Sequence, residues 1–158
     1  MKLDKKLKTV HIIGAGLAGS EAAWHLAEAG IPVLLHEMRP KKQTFAHKSS
    51  KFAELVCSNS FRSNNDKENA VGLLHWEMNK ANGLIIRVAQ NNSIPAGGAL
   101  AVNRDEFSKE ITQILKSHPL IKFNNNEVEE LPKNDSNVIV ATGPLTSEKL
   151  VSSILDQT

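Results

Sequence analysis

The stretch that decides the fold is Thr9-Val10-His11-Ile12-Ile13-Gly14-Ala15-Gly16-Leu17-Ala18-Gly19, continued by Ser20-Glu21-Ala22-Ala23-Trp24-His25-Leu26-Ala27-Glu28-Ala29 and Gly30-Ile31-Pro32-Val33-Leu34-Leu35-His36-Glu37. Residues 9–13 are β-branched except His11 and predict a short strand. Residues 14–19 carry three glycines and predict a tight turn. Alanine, leucine and glutamate over 20–29 predict a helix, which Gly30 can end in a left-handed conformation. Residues 31–36 then read as a second, largely buried strand, with Pro32 at its beginning, where a missing N–H does little harm. Strand, glycine turn, helix and strand make a βαβ unit.

A Gly-x-Gly-x-x-Gly spacing alone is weak evidence, but here its context is complete. Gly14 permits the turn after the strand, Gly16 lets backbone approach a diphosphate, and Gly19 permits close helix–sheet contact. The helix N-terminus offers unpaired N–H groups and partial positive charge to phosphates. Glu37 falls about 20 residues further on, where a carboxylate accepts hydrogen bonds from an adenosine ribose. The same carboxylate disfavours a 2′-phosphate and so NADP. Arg39 can lie over an adenine or reach a phosphate, which leaves FAD and NAD both open. Ala141-Thr142-Gly143, at the end of a late strand, supplies a further close backbone approach and tilts the balance slightly to FAD.

Elsewhere the chain has no repeat, low-complexity tract or linker. Residues 39–69 are polar and irregular except for Phe52-Ala53-Glu54-Leu55-Val56-Cys57, which suits a short strand or a helical turn equally. Residues 71–80 are expected as a helix, 84–90 suit either type with the Leu84/Val88 and Ile85/Ala89 spacing tilting towards helix, and 93–98 are expected as a turn leading to a strand at 99–102. Asn103 caps a further helix whose apolar face is Phe107, Ile111, Ile114 and Leu115, and His118-Pro119 stops it. Strands are expected at 120–123, at 128–131 and, buried, at 137–141, before a weak helix over 147–155.

The chain has 158 residues, 41% apolar and 23% charged, with net charge +2. That composition excludes fibrous and disordered classes, and a chain of this size buries roughly 68–70% of its unfolded surface without staples. Its one cysteine, Cys57, allows no internal disulfide and suits a reducing, cytoplasmic setting. No apolar run approaches the roughly 20 residues of a membrane span. Residues 1–8 read as a basic tail rather than a secretion signal. Arg39, Lys41, Lys42, Lys48 and Lys51 occur with no Asp or Glu between them, which most simply makes a solvated loop. The histidines show no metal-ligand spacing, so no metal is expected. Cys57 by residue type is more often a small buried hydrophobe than a nucleophile.

Five segments together resemble the N-terminal part of the folate- and FAD-dependent tRNA uracil-5 methyltransferases, the TrmFO or Gid family. They are residues 14–23, Glu37-Met38-Arg39-Pro40, Phe52-Ala53-Glu54-Leu55-Val56-Cys57-Ser58-Asn59-Ser60, Pro95-Ala96-Gly97-Gly98-Ala99-Leu100-Ala101-Val102, and residues 141–147. The first is common to many flavoproteins, whereas the cysteine and Pro-Ala-Gly-Gly segments are specific. The resemblance implies an α/β fold: a Rossmann-like, doubly wound parallel sheet of the glutathione-reductase FAD-binding type over residues 9–158. It implies that a one-carbon unit passes from methylenetetrahydrofolate, with NAD(P)H as reductant, to C5 of the T-loop uridine of tRNA. It further implies that Gly14, Ala15, Gly16, Leu17, Ala18, Gly19, Glu37, Arg39, Thr142 and Gly143 hold FAD and that Cys57 is one of two catalytic cysteines. The basic loop then has tRNA phosphates as a partner. The chain resembles only about the first third of that family's length, without the second cysteine, and Asn103 stands where the family usually has Asp. A split enzyme completed by a second polypeptide, a decayed gene product and an incomplete sequence are the open explanations. A non-catalytic nucleotide-binding module and an MnmG-type enzyme of the anticodon wobble base are the rival functions.

Overall fold

The computed structural model describes residues 7–132 and 137–157, so most of the expected basic tail, residues 1–6, lies outside the described residues. The elements are β1 (Val10–Ile13), α1 (Leu17–Glu28), β2 (Val33–His36), β3 (Ser60–Ser63), α2 (Ala70–Lys80), α3 (Leu84–Asn91), β4 (Ser93–Ile94), β5 (Ala99–Val102), α4 (Arg104–Ser117), β6 (Ile121–Asn124), β7 (Asn137–Val140) and α5 (Glu148–Leu155). Gly30 ends α1 with φ +78°, as the sequence predicts. Helix α1 starts three residues before the expected Ser20, because Gly16 supplies its N-cap in an extended conformation.

Four strands form a parallel sheet in the order β6-β2-β1-β7. Alternation sends Val10, Ile12, Val33, Leu35 and Ile121 to one face. There they meet Ala23, Trp24 and Ala27 of α1 and Phe107, Ile111 and Leu115 of α4 in one buried core. The turn residues around α3 are fixed from α1: Glu21 Oε2 accepts from the Ile85 N–H at 2.8 Å, and the Trp24 indole N–H donates to Asn82 O at 2.9 Å. Helix α4 is capped as expected, Asn103 Oδ1 accepting from the N–H groups of Asp105 and Glu106.

Three expectations fail, each for a tertiary reason. The 52–57 segment is neither strand nor helix: Ala53 is left-handed at φ +50°, its N–H donates to Ala15 O at 2.8 Å, and the Phe52 N–H donates to Thr112 Oγ1. Residues 128–131 form no strand, and the Leu131 N–H donates to Ser153 Oγ of α5 instead. Strand β7 is present but not buried, with Ile139 37% and Val140 42% exposed, since among the described residues only β1 pairs with it. The two residues that open the expected 93–98 turn become β4, and β3-β5-β4 forms a separate antiparallel sheet.

Candidate functional site

A cavity of about 350 Å³ opens beside the glycine turn, at the carboxyl ends of β1 and β2. Gly14, Gly16, Leu17, Ala18, Glu37, Arg39, Thr142 and Gly143 all line it, together with Val56, Glu54 and His47. Ala15 and Gly19 lie buried directly behind. The fold therefore gathers the expected cofactor residues of three separate segments. Cys57 is exposed and does not line the cavity, although its neighbour Val56 does.

The glycines do different work. A Cβ on Gly19 would lie 1.8 Å from Gly14 O, so α1 can reach the turn only without one. Gly14 has φ +100° and would meet Ala141 O at 2.8 Å, while the Ala141 N–H donates to Ile13 O; this places the 141–143 turn against the glycine loop. Gly16 is the exception. Its backbone is ordinary, and a Cβ there would meet nothing within 4 Å. Nothing inside the protein requires glycine at 16, so the space it leaves faces the cavity. No side chain caps α1, and its first-turn N–H groups have no acceptor within the helix.

Glu37 and Arg39 form the charged wall. Arg39 is 1% exposed and Glu37 8%. Arg39 Nε donates to Glu37 Oε1 and Nη2 to Oε2, both at 2.9 Å, and the Arg39 and Ala15 N–H groups donate to the same carboxylate. A carboxylate has about four acceptor positions, so Glu37 is saturated by the protein itself. Nη1 of Arg39 donates to Glu54 Oε2 at 3.0 Å and to Ser49 O at 3.1 Å. Glu54 accepts in addition from the Lys48 and Ser49 N–H groups and from Ser49 Oγ. Glu54 and Ser49 escape a sequence reading because no periodicity links them to Arg39. The first acid after a cationic stretch was the available signal.

Burial pushes the Glu37 carboxyl up, but the hydrogen bonds and charge of Arg39 with the N–H groups of Arg39 and Ala15 prevail and hold it below its ordinary value. For Glu54 burial is likewise outweighed, by Lys48 and Ser49 hydrogen bonds and by Arg39. His36 is lowered by burial and by His11, whose ring stacks on it; His47 is lowered by burial and Arg39; and His75 is lowered by burial, with Nδ1 unpartnered. The signs agree. Below the ordinary histidine value of 6.5 the unfolded chain takes up protons that these folded rings refuse, and stability begins to fall. The carboxylates' contribution is complete above 4.5 and is lost as pH drops through their lower folded values. The thermal midpoint should hold steady from pH 8 to 7, decline below about 6.5 and drop steeply below about 4.5. A midpoint unchanged between pH 7 and 5 would contradict this assignment of neutral rings.

The basic stretch is largely spent on the protein. Lys41 donates to Asn126 Oδ1, Lys42 pairs with Glu127 at 2.6 Å and Lys51 with Asp105 at 2.7 Å, and Arg39 is internal. These contacts tie the 39–51 loop, whose Thr44 and His47 line the cavity, to residues 126–127 and to α4. Among the described residues no cluster of His, Cys, Asp and Glu is arranged to hold a metal ion, and no helix is long and apolar enough to cross a membrane.

Comparison with known proteins gives a consistent picture. The chain is 60% identical over 147 residues to a Cereibacter sphaeroides protein named methylenetetrahydrofolate--tRNA-(uracil-5-)-methyltransferase TrmFO, covering 93% of this chain and 33% of that one. A Bartonella henselae protein of the same name is 58% identical over 150 residues, covering 94% and 32%. The chain thus spans about a third of the length of these curated relatives. Among solved structures, GidA of Aquifex aeolicus superposes with a TM-score of 0.62 at 15% identity, over 85% of this chain and 22% of that one, which speaks for the Rossmann-like α/β fold. The family model described as glucose inhibited division protein A matches residues 9–154, and the chain belongs to that family.

Proposed function

We propose that residues 9–158 are the FAD-binding N-terminal part of a methylenetetrahydrofolate-dependent tRNA uracil-5 methyltransferase. The observation that carries the nucleotide reading is Gly16: a residue whose missing side chain no protein atom requires, at an uncapped helix N-terminus, facing a cavity walled by Glu37. A diphosphate is the group that fits such a cradle, being anionic, needing backbone N–H donors and excluding a Cβ. The volume of about 350 Å³ lies at the low end of ligand pockets, roughly 300–1,000 Å³. It suits the adenosine diphosphate half of FAD rather than the whole molecule. The choice of methylenetetrahydrofolate as donor and of tRNA uracil as acceptor rests on the high identity to the relatives so named; FAD, NAD(P)H and the T loop follow from the resemblance of the motif segments.

In this reading Gly16, Leu17 and Ala18 present N–H groups to the diphosphate, Glu37 takes the ribose hydroxyls, and Thr142 and Gly143 close the opposite wall. Bound FAD supplies the redox chemistry by which a one-carbon unit is reduced on its way to the base. Cys57, exposed at the end of the loop beside the cavity, is one of the two reactive groups the chemistry needs: a thiolate that adds to C6 of uracil and makes C5 nucleophilic, and a partner that handles the flavin-borne methylene. The reaction takes place in the cytoplasm, on tRNA. A binding module without methyl transfer is the second reading, favoured by the position of Cys57 outside the cavity lining.

The two readings separate in one experiment. The chain, joined to or mixed with the remainder of a TrmFO relative, is expected to show flavin absorbance and to transfer label from methylenetetrahydrofolate to T-loop uridine. Cys57→Ala should keep the flavin and lower methyl incorporation by on the order of a thousandfold. Full activity in that variant would end the catalytic assignment of Cys57. Flavin binding with no methyl transfer in either protein would favour the binding module.

A further inference from the structure

We infer that Glu54 is a positioning residue which, through Arg39, ties occupancy of the nucleotide cavity to the conformation of the loop that ends at Cys57. The inference rests on the nucleotide reading above and adds a regulation of that site. Its starting point is a closed circuit of hydrogen bonds. The Ala15 N–H donates to Glu37, Arg39 joins Glu37 to Glu54, and the N–H of Ala53, the neighbour of Glu54, returns to Ala15 O at 2.8 Å. The glycine loop, the ribose carboxylate and the 49–54 segment are therefore one mechanical unit. Cys57 follows three residues after Glu54, by way of Val56 at the cavity wall.

Saturation of Glu37 gives the circuit a direction. All of its acceptor positions are occupied, so a ribose hydroxyl can bond only by displacing a donor already there. Most of those donors belong to Arg39. The displaced guanidinium N–H needs a new acceptor in a site almost sealed from water, where an unpaired donor is costly. Glu54 is the carboxylate already in contact with it. Binding thus transfers Arg39 from Glu37 toward Glu54, and the segment whose backbone N–H groups Glu54 holds, at Lys48 and Ser49, tightens with it. Without Glu54 the guanidinium has only Glu37 and the Ser49 carbonyl, so it competes harder with ribose and leaves the loop less restrained.

The test uses adenosine diphosphate, which carries ribose and diphosphate but no flavin to shield Cys57, and the alkylation rate of Cys57, the single cysteine of the chain. In the wild type, saturating adenosine diphosphate should slow alkylation about threefold or more, on the scale of a modest coupling. Glu54→Gln should weaken adenosine diphosphate binding about tenfold, the equivalent of one charge-assisted hydrogen bond. It should also speed alkylation of the ligand-free protein and abolish the response to saturating ligand. Glu54→Asp, which restores the charge, should recover most of that response, whereas a merely destabilised loop would not be rescued; circular dichroism confirms that each variant is folded. Unchanged affinity and an unchanged response in Glu54→Gln overturn the inference. So does a wild type that binds adenosine diphosphate with no change in alkylation. If the wild type binds none, the nucleotide reading fails, and the coupling proposed here fails with it; the ligand-free alkylation rates then still show whether Glu54 restrains the loop.

Discussion

Arg39→Ala is expected to lower the unfolding free energy by about 3–5 kcal/mol, because it leaves the buried Glu37 and the half-buried Glu54 without a counter-charge. For a domain whose whole stability is roughly 5–15 kcal/mol, that is a large share. The geometry explains the size: both nitrogens of the fork bond the Glu37 carboxylate at 2.9 Å, and Nη1 reaches Glu54 at 3.0 Å. Arg39→Lys should recover only part of the loss, since one ammonium cannot reproduce a planar fork held between two carboxylates. Adding Glu37→Gln to Arg39→Ala should restore some stability by removing the stranded charge. Urea unfolding at pH 7 measures all three. A loss below about 1 kcal/mol for Arg39→Ala would mean that the two carboxylates are solvated rather than clamped.

Gly16 and Gly19 should respond to substitution in opposite ways. Gly19→Ala puts a methyl 1.8 Å from a backbone oxygen, so α1 must shift away from the turn. A cost of about 3 kcal/mol, at the upper end of overpacking, is expected. The Cβ of Gly16→Val meets nothing within 4 Å, and the variant should cost only about 1 kcal/mol, because a β-branched residue makes a poor N-cap. Its effect falls instead on the ligand: affinity for FAD should drop about a hundredfold or more, as the side chain fills the diphosphate cradle. Thermal unfolding and flavin fluorescence quenching, measured on both variants, distinguish the roles. Full FAD affinity in Gly16→Val would remove the main support for the nucleotide reading.

The opening βαβ unit was legible because every cue in it is local: β-branched runs, glycines at fixed offsets, and an acid at the end of a strand. Helix α4 was legible for the same reason, through the Asn103 cap and the spacing of Phe107, Ile111 and Leu115. Residues 52–54 were not. Ala53 adopts a conformation that its own side chain disfavours, held there by Ala15, while Thr112 fixes Phe52 next to it and Arg39 fixes Glu54; all three partners are distant in sequence. Arg39 was read for its charge, as a contact to adenine or phosphate. It lines the cavity and in addition braces the Glu37 carboxylate from Glu54 and Ser49, whose approach no spacing announces. The apolar 137–141 run reads as buried because sequence records what a residue prefers, not whether anything arrives to satisfy it.

That last point bears on how the polypeptide behaves from the moment it is made. Along the outer side of β7, the described residues supply no backbone partner, and Ile139 and Val140 stand in water. Such a margin accepts any extended segment that meets it first, whether a proper neighbour or a stray one. The order in which surrounding material becomes available therefore matters to this protein as much as its final energy does, and its hazard is one of timing: the longer that margin waits, the more chances a wrong association has to precede the right one.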